Sequence, residues 1–141
     1  MSSTQAIRQL IDHARTRLDL MNPYFTEADM LQRVTAAARR GVKVRIVVSQ
    51  TSNNTQATAA LKHHYGQLLD AGAQIWEYPG AVVHAKIVVA DDTVVFGTVN
   101  FDAWSLYRNY EIAMMARSPA GEHDERRRQG PRQRARWMRQ V

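Results

Sequence analysis

The chain of 141 residues and 16.1 kDa has the length of a single domain. Its hydrophobic fraction of 45% and charged fraction of 23% are typical of a globular protein rather than a disordered one. No apolar run approaches the roughly 20 residues that cross a bilayer, and the absence of cysteine excludes disulfides, thiolate zinc sites and cysteine nucleophiles. Because the N-terminal residues carry charges throughout, we expect no cleaved secretion signal and a cytosolic, cytoplasmic protein.

The positive charge is concentrated at one end of the chain. Residues 117–141 contain eight arginines and three acidic residues, which is +5 of the formal net charge of +6 and leaves +1 for residues 1–116. We therefore predict a folded domain at 1–116 and an Arg-rich, disordered segment at 117–141, called the Arg-rich tail below. Nucleic acid is the less favoured partner, because the predicted domain itself is nearly neutral.

Hydrophobic periodicity predicts alternating helices and strands over the first 80 residues. In chain order these are a helix with an apolar stripe from Ile7 to Leu18, a strand at 17–21, a helix from Thr26 to Ala38, a strand at 42–48, a helix with apolar positions from Ala57 to Leu69, and a strand at 74–78. Strands that alternate with helices of this length indicate βαβ units and a largely parallel sheet.

The pattern changes after residue 82. Two adjacent strands are predicted at 82–90 and 94–100, joined by a three-residue loop at 91–93, and a last strand is predicted at 110–115. A hairpin with this loop pairs residue 86 with residue 98 and residue 84 with residue 100.

The predicted hairpin gathers four side chains that suit a phosphate group. Its register places Lys86 opposite Thr98 and His84 opposite Asn100, at Cβ separations of roughly 4.5–5.5 Å. Glu111 on the last strand is a candidate to accept the second imidazole N–H and fix its tautomer. From geometry alone, purely structural roles for the histidine and the lysine remain open.

These residues carry a resemblance to a known family. The spacing His84-x-Lys86-x4-Asp91, followed by Gly97-Thr98-Val99-Asn100, resembles the HKD signature of the phospholipase D superfamily. Six further segments are similar to the C-terminal half of bacterial cardiolipin synthases. These segments are residues 22–25, 39–45, 68–72, 75–78, 100–102 and 109–111. The resemblance covers residues 4–116. It implies an α/β fold: a phospholipase D-like half-domain with a mixed, mostly parallel sheet flanked by helices and an HKD hairpin.

The resemblance also implies a role for each site residue. His84 matches the histidine that attacks phosphorus, or protonates the leaving oxygen, through a phosphohistidine intermediate. Lys86 and Asn100 match the phosphate-binding residues, and Thr98 stands where the family usually has serine. Glu111 matches the carboxylate that orients the histidine. This chemistry requires no cofactor, and we predict no metal site.

The remaining motif positions are interpreted as structural. Asp91 matches the motif aspartate, but its strand parity differs from that of His84 and Lys86, so we interpret it as a turn residue. Gly97 matches the motif glycine. The family usually has six residues between these two positions, whereas this chain has five.

The family mechanism uses two HKD motifs, and this chain contains one. A homodimer could bring two His84 side chains together, as in the small single-motif bacterial endonucleases of the superfamily. Alternatively, the chain is a fragment that lacks the N-terminal HKD half. We therefore predict phosphodiester transfer or hydrolysis on a phospholipid or other phosphodiester, with peripheral membrane contact as an option. The alternatives are an inactive or partner-dependent fragment and a homodimeric, metal-independent endonuclease.

Overall fold

The computed structural model describes residues 2–51, 54–80, 82–102, 106, 110–118 and 139–141. These residues form the following elements, in chain order: α1 (Ser3–His13), β1 (Arg17–Met21), α2 (Ala28–Arg39), β2 (Lys43–Ser49), α3 (Thr55–His63), α4 (Tyr65–Asp70), β3 (Gln74–Tyr78), β4 (Ile87–Ala90), β5 (Thr93–Gly97), β6 (Ala113–Arg117) and β7 (Arg139–Gln140).

A seven-stranded mixed sheet with the strand order β6-β5-β4-β1-β2-β3-β7 organises the described part of the chain. The β1–β2 and β2–β3 pairs are parallel, and the other neighbouring pairs are antiparallel. The predicted α/β fold with a mixed sheet is confirmed, but the expectation of a mostly parallel sheet is wrong, since four of the six neighbouring pairs in the described residues are antiparallel. Parallel pairing is confined to the three strands that alternate with helices, because a helix between two strands carries the chain back to begin the next strand in the same direction.

Three helices form a layer over the sheet. α1 packs against α2, and α2 packs against α4. α1 begins with a capping box in which Ser2 and Gln5 satisfy each other's backbone N–H groups, and it buries Ile7 and Ile11. Alternate strand residues supply the other side of this core, among them Leu18, Leu20, Val44, Ile46, Val48 and Ile75. This alternation is the period of two that the strand predictions used.

The structure places most elements close to their predicted positions. The strands at 17–21 and 74–78 have the predicted bounds. The predicted third helix is two helices, α3 and α4, with His64 between them. β6 begins three residues later than the strand predicted at 110–115, and α2 is capped by Glu27, whose carboxylate accepts from the Met30 N–H.

The predicted hairpin register is wrong by one residue. Ala90 pairs with Thr93 and Ile87 with Phe96, so the loop contains only Asp91 and Asp92. Lys86 therefore lies opposite Gly97, whose N–H donates to the Lys86 carbonyl at 3.2 Å, and not opposite Thr98. The two-residue loop can form because Asp91 adopts a left-handed conformation with a φ of 52°, which Asp tolerates better than most residues.

The hairpin strands are also shorter than predicted. His84 and Lys86 precede β4, and Thr98 and Asn100 follow β5. The predicted pairing of His84 with Asn100 is therefore wrong as well. The four side chains lie on the connections at one end of the hairpin, where the backbone no longer follows the sheet.

The sheet extends beyond residue 116, where the sequence predicts the domain to end. β6 includes Arg117, and β7 pairs antiparallel with β3 at the opposite edge. The Val141 N–H also donates to the Ile75 carbonyl at 2.9 Å. These pairings correct the prediction of disorder for the two ends of the Arg-rich tail. Residues 119–138 lie outside the described residues.

None of the helices that the structure describes is both long enough and apolar enough to cross a bilayer.

Candidate active site

Asp91 anchors the hairpin turn to the beginning of β1. Its Oδ1 accepts hydrogen bonds from the Thr16 N–H at 2.8 Å and the Arg17 N–H at 3.1 Å, and Oδ2 accepts from the Arg15 N–H at 3.0 Å. The Thr16 hydroxyl donates a further bond of 2.7 Å. Burial raises the pKa of Asp91, but these hydrogen bonds outweigh it and lower the pKa to about 2. The carboxylate thus fixes the turn at the end of the hairpin away from His84 and Lys86.

Gly97 lies where two strands approach too closely for a side chain. A Cβ on Gly97 would be 2.0 Å from the Ile112 carbonyl oxygen and 2.8 Å from the Ala113 Cα. The absence of a side chain therefore lets β6 approach the end of β5. This approach brings residues 110–112, including Glu111, next to the connection that carries Thr98.

Two side chains that the sequence singled out are in direct contact. The Lys86 Nζ lies 3.0 Å from the His84 Nδ1 and donates to the His84 carbonyl oxygen at 2.8 Å. An ammonium group has only donors, so Nδ1 is the acceptor in this contact. His84 is exposed, which leaves its ring accessible from solvent.

Thr98 connects to the chain around Glu111 through both backbone and side chain. The Thr98 N–H donates to the Ile112 carbonyl at 2.9 Å, and the Ile112 N–H donates to the Thr98 hydroxyl oxygen at 3.1 Å. The Thr98 hydroxyl donates in turn to the Glu111 carboxylate. Glu111 is therefore held by Thr98, and within the described residues it makes no hydrogen bond with His84.

Lys86, which contacts His84, also interacts electrostatically with Glu111, the partner of Thr98. Burial lowers the pKa of its ammonium group, and the carboxylates of Glu111 and Asp102 oppose this shift. Lys86 also lines a small, narrow depression together with Gly97, Phe96 and the buried residues Val88 and Val99. A partly desolvated cation at this end of the hairpin suits the binding of an anionic group.

Asn22 positions the connection that carries Asn100. It is buried, its Nδ2 donates to the Val99 carbonyl at 3.1 Å, and its Oδ1 accepts from the Phe101 N–H at 3.2 Å. Phe101 then packs against Phe25 with ring centroids 5.3 Å apart. The Oδ1 of Asn100 is buried without a hydrogen-bond partner in the described part of the chain.

The structure brings the predicted residues together in two pairs rather than one cluster. His84 contacts Lys86, and Thr98 contacts Glu111. The sequence argument from residue types gave no role to Asn22 or to the charge of Asp102. The sequence feature that could have indicated a role for Asn22 is its position between the apolar strand β1 and Pro23. A buried amide side chain there can form hydrogen bonds with the backbone of another connection. Among the described residues no group of three or more His, Asp or Glu side chains is arranged to hold a metal ion.

Comparison with known proteins identifies the class to which this fold and site belong. A family model described as cardiolipin synthase, PLD-like domain, matches residues 7–127. The chain therefore belongs to the phospholipase D superfamily, within its family of cardiolipin synthase PLD-like domains. The predicted resemblance to the phospholipase D superfamily is therefore confirmed.

Curated relatives point to the same family. The chain is 34% identical over 113 residues to cardiolipin synthase A of Serratia proteamaculans and to cardiolipin synthase A of Yersinia pseudotuberculosis. Each match covers 79% of this chain and 23% of the relative. The chain thus spans about a quarter of the length of these relatives.

Solved structures share the fold. The phospholipase D family member Nuc from Salmonella typhimurium superposes with a TM-score of 0.73 and 27% identity, covering 83% of this chain and 76% of that one. The phosphatidylserine synthase of Haemophilus influenzae has a TM-score of 0.72 at 15% identity, covering 97% of this chain and 36% of that one. Nuc is therefore similar in length to this chain, whereas the phosphatidylserine synthase is much longer.

Proposed function

We propose that this chain supplies one half of an active site that transfers or hydrolyses a phosphodiester through a phosphohistidine at His84. The observation that carries the proposal is the direct contact between His84 and Lys86, next to the bonded pair Thr98–Glu111. An imidazole nucleophile, a cation and neutral donors at one end of a hairpin are the groups that phosphoryl transfer requires. The family membership supports the same reaction class.

The His84–Lys86 contact determines which ring nitrogen carries the proton. Because Nδ1 accepts from Lys86, a neutral imidazole in this arrangement holds its proton on Nε2. Attack on phosphorus needs a lone pair on Nε2 instead. A phosphate that draws the Lys86 ammonium to itself would release Nδ1 to take the proton, so substrate binding would generate the nucleophile.

The proposed reaction balances over two steps. In the first, the Nε2 of one His84 forms a bond to phosphorus while the bond from phosphorus to the leaving alcohol breaks, and a second histidine protonates that alcohol. In the second, water or another alcohol attacks phosphorus, loses its proton to the second histidine and breaks the N–P bond. Lys86, Thr98 and Asn100 would bind the phosphoryl oxygens, which carry the developing charge.

The second histidine must come from another HKD motif. We propose a second copy of this chain as its source, because Nuc, a family member of similar length, has the same fold. The alternative source is the remainder of a longer two-motif protein, which is supported by the 23% coverage of the cardiolipin synthases. A phospholipid is the proposed substrate on the same family likeness.

The role of His84 is tested by hydrolysis of bis(p-nitrophenyl) phosphate in excess EDTA. His84→Ala should lower the rate by about 10³-fold or more, because it removes the nucleophile and, in a dimer, the proton donor. Lys86→Ala should chiefly raise KM, and His63→Ala, at an exposed histidine on α3, is the matched control that should keep full activity. Full activity in His84→Ala would refute the mechanism.

The source of the second motif is tested by stoichiometry. If two copies form the site, the specific activity in EDTA should rise with protein concentration and level off once the chain is dimeric. Folded protein that stays inactive at every concentration would support a half-domain that needs a different partner. Cleavage of plasmid DNA in preference to phospholipid would instead support the endonuclease alternative.

A further inference from the structure

The segment that carries His84 lies outside the ladder of the sheet. Residues 82–86, called the His84 segment below, precede β4 and form neither helix nor strand. The chain arrives from β3 and continues into β4, and the strand order places β1 and β2 between these two strands. The His84 segment therefore reaches β4 as an irregular connection. The direction of the His84 side chain depends on how this connection is held.

One end of the His84 segment is held by Ser49, the last residue of β2. The Ser49 hydroxyl oxygen accepts a hydrogen bond from the Val83 N–H at 2.7 Å. Ser49 also pairs with Tyr78 at the end of β3, and the Gln50 N–H donates to the Tyr78 carbonyl at 3.0 Å. The chain therefore leaves β3 beside the end of β2 and returns to that same end one residue before His84.

Ser49 is buried although residues of the same strand parity are exposed. Side chains alternate along β2, so that Ser49 shares a face with the exposed Lys43 and Arg45. Ser49 itself is only 6% exposed, and the contact with Val83 supplies part of its cover. Because water competes poorly for a hydrogen bond in such a place, the Ser49 hydroxyl holds Val83 more firmly than an exposed serine would.

The other end of the His84 segment is held at Lys86, whose carbonyl accepts from the Gly97 N–H at 3.2 Å. Within the described residues, the bonds to Ser49 and Gly97 are the ones that tie the backbone of residues 83–86 to other segments. His84 lies between these two bonds, and its Nδ1 is 3.0 Å from the Lys86 Nζ. Loss of the bond to Ser49 would leave Lys86 in place and free His84 to move away from it.

We infer that Ser49 is a positioning residue for His84: its hydroxyl fixes the backbone at Val83 and thereby keeps the imidazole against Lys86. Ser49 acts through the backbone and not by touching the phosphoryl group. This role rests on the proposed function, in which His84 attacks phosphorus or protonates the leaving oxygen. A reacting group that is displaced by about 1 Å can lose about a hundredfold in rate, because attack requires an aligned lone pair.

The first test observes the His84 ring and does not require turnover. The nitrogen NMR chemical shifts of the imidazole, assigned by their loss in His84→Ala, show which ring nitrogen carries the proton. The neutral ring of the wild type should carry it on Nε2, because Nδ1 accepts from Lys86. Ser49→Ala should shift both nitrogen signals towards those of a histidine in a short peptide. It should also speed amide hydrogen exchange at Val83 by about fivefold or more.

The second test separates positioning from a general loss of stability. With bis(p-nitrophenyl) phosphate in EDTA, Ser49→Ala should lower kcat by about tenfold to a hundredfold. KM should stay within about twofold, since Lys86 remains bonded to Gly97. Tyr65→Phe is the matched control, because it removes another hydroxyl, one that donates to the buried Glu77. It should lower the midpoint of urea unfolding at least as much as Ser49→Ala does, and keep the wild-type kcat.

Two further variants at position 49 isolate the hydroxyl group. Ser49→Thr and Ser49→Val introduce side chains of nearly the same shape, and only threonine keeps an oxygen that can accept from the Val83 N–H. Ser49→Thr should retain the ring signals of the wild type, whereas Ser49→Val should resemble Ser49→Ala. If the added methyl group disturbs both variants equally, the comparison of Ser49→Ala with the wild type decides.

The outcomes distinguish the role of Ser49 from the proposed reaction. Unchanged ring signals in Ser49→Ala would overturn the positioning role even if kcat fell. An equal fall of kcat in Tyr65→Phe would do the same, since lost stability would then account for it. Full activity of His84→Ala would refute the proposed reaction. In that case, or if the chain alone has no turnover, the ring signals and the exchange at Val83 still decide whether Ser49 holds His84 against Lys86.

Discussion

The Asp91 carboxylate offers a sharp test of how the hairpin is held to the rest of the sheet. Asp91→Asn keeps the size of the side chain and an oxygen for the bonds from Thr16 and Arg17, and Asn also tolerates the φ of 52°. It replaces the oxygen that accepts from the Arg15 N–H by an NH₂ group and removes the negative charge. The substitution therefore isolates the charge and one hydrogen bond.

The size of the effect follows from the pKa. Lowering the pKa of a carboxyl group from the ordinary 3.8 to about 2 corresponds to about 2 kcal/mol of stabilisation of the folded state. Because the turn is partly exposed and water screens its charges, we expect roughly half of this, about 1 kcal/mol. For a chain of this length such a loss should lower Tm by about 3 °C.

The assay is urea unfolding of wild type and Asp91→Asn over a range of pH, with Asp70→Asn as a control at an exposed carboxylate on α4. A depressed folded-state pKa stabilises above the unfolded pKa, so the difference should be complete at neutral pH. It should shrink as the pH falls below 3.8 and approach zero near pH 2. A difference that is absent at neutral pH, equal to that of the control, or independent of pH would refute the reasoning.

Two further substitutions test the packing that positions the site, and a third tests a buried hydrogen bond between α4 and β3. Gly97→Ala should destabilise by about 2 kcal/mol or more in urea unfolding, since its Cβ would meet the Ile112 backbone; an unchanged midpoint would contradict the close approach. Asn22→Ala should cost about 2–3 kcal/mol by the same measurement, because it leaves the Val99 carbonyl and the Phe101 N–H without their side-chain partner; an unchanged midpoint would contradict this role. Tyr65→Phe should lower the free energy of unfolding by about 2 kcal/mol, because it removes the hydroxyl that donates to the buried Glu77 at 3.0 Å. A decrease well below about 1 kcal/mol in the same measurement would show that this bond adds little.

Local patterns in the sequence were sufficient for the regular part of the fold. Strand β1 and strand β3 were predicted with their observed bounds, because each is an alternating or β-branched run that ends at a turn signal such as Asn22-Pro23 or Pro79-Gly80. The candidate site residues could be proposed from local sequence as well. His84, Lys86, Thr98 and Asn100 lie close together in sequence at spacings that resemble the HKD signature.

The register of the hairpin could not be derived in this way. Its loop has two residues rather than three because Asp91 is held in a left-handed conformation by N–H groups from residues 15–17, more than 70 positions earlier in the chain. A contact of that range leaves no periodic trace in the local sequence. The one-residue error placed Thr98 opposite Lys86, where the structure has Gly97.

The sequence by itself determined the class of fold, the order of the central elements and the identity of the chemical groups, since these depend on residue type and on spacings of a few residues. Only the tertiary structure decided which of those groups touch. It paired His84 with Lys86 and Glu111 with Thr98, set Asn22 beneath the Asn100 connection, and assigned the end of the Arg-rich tail to the edge of β3. The physical reason is that such contacts depend on the free energy of packing segments that are distant in sequence. The composition of one segment alone does not determine that free energy.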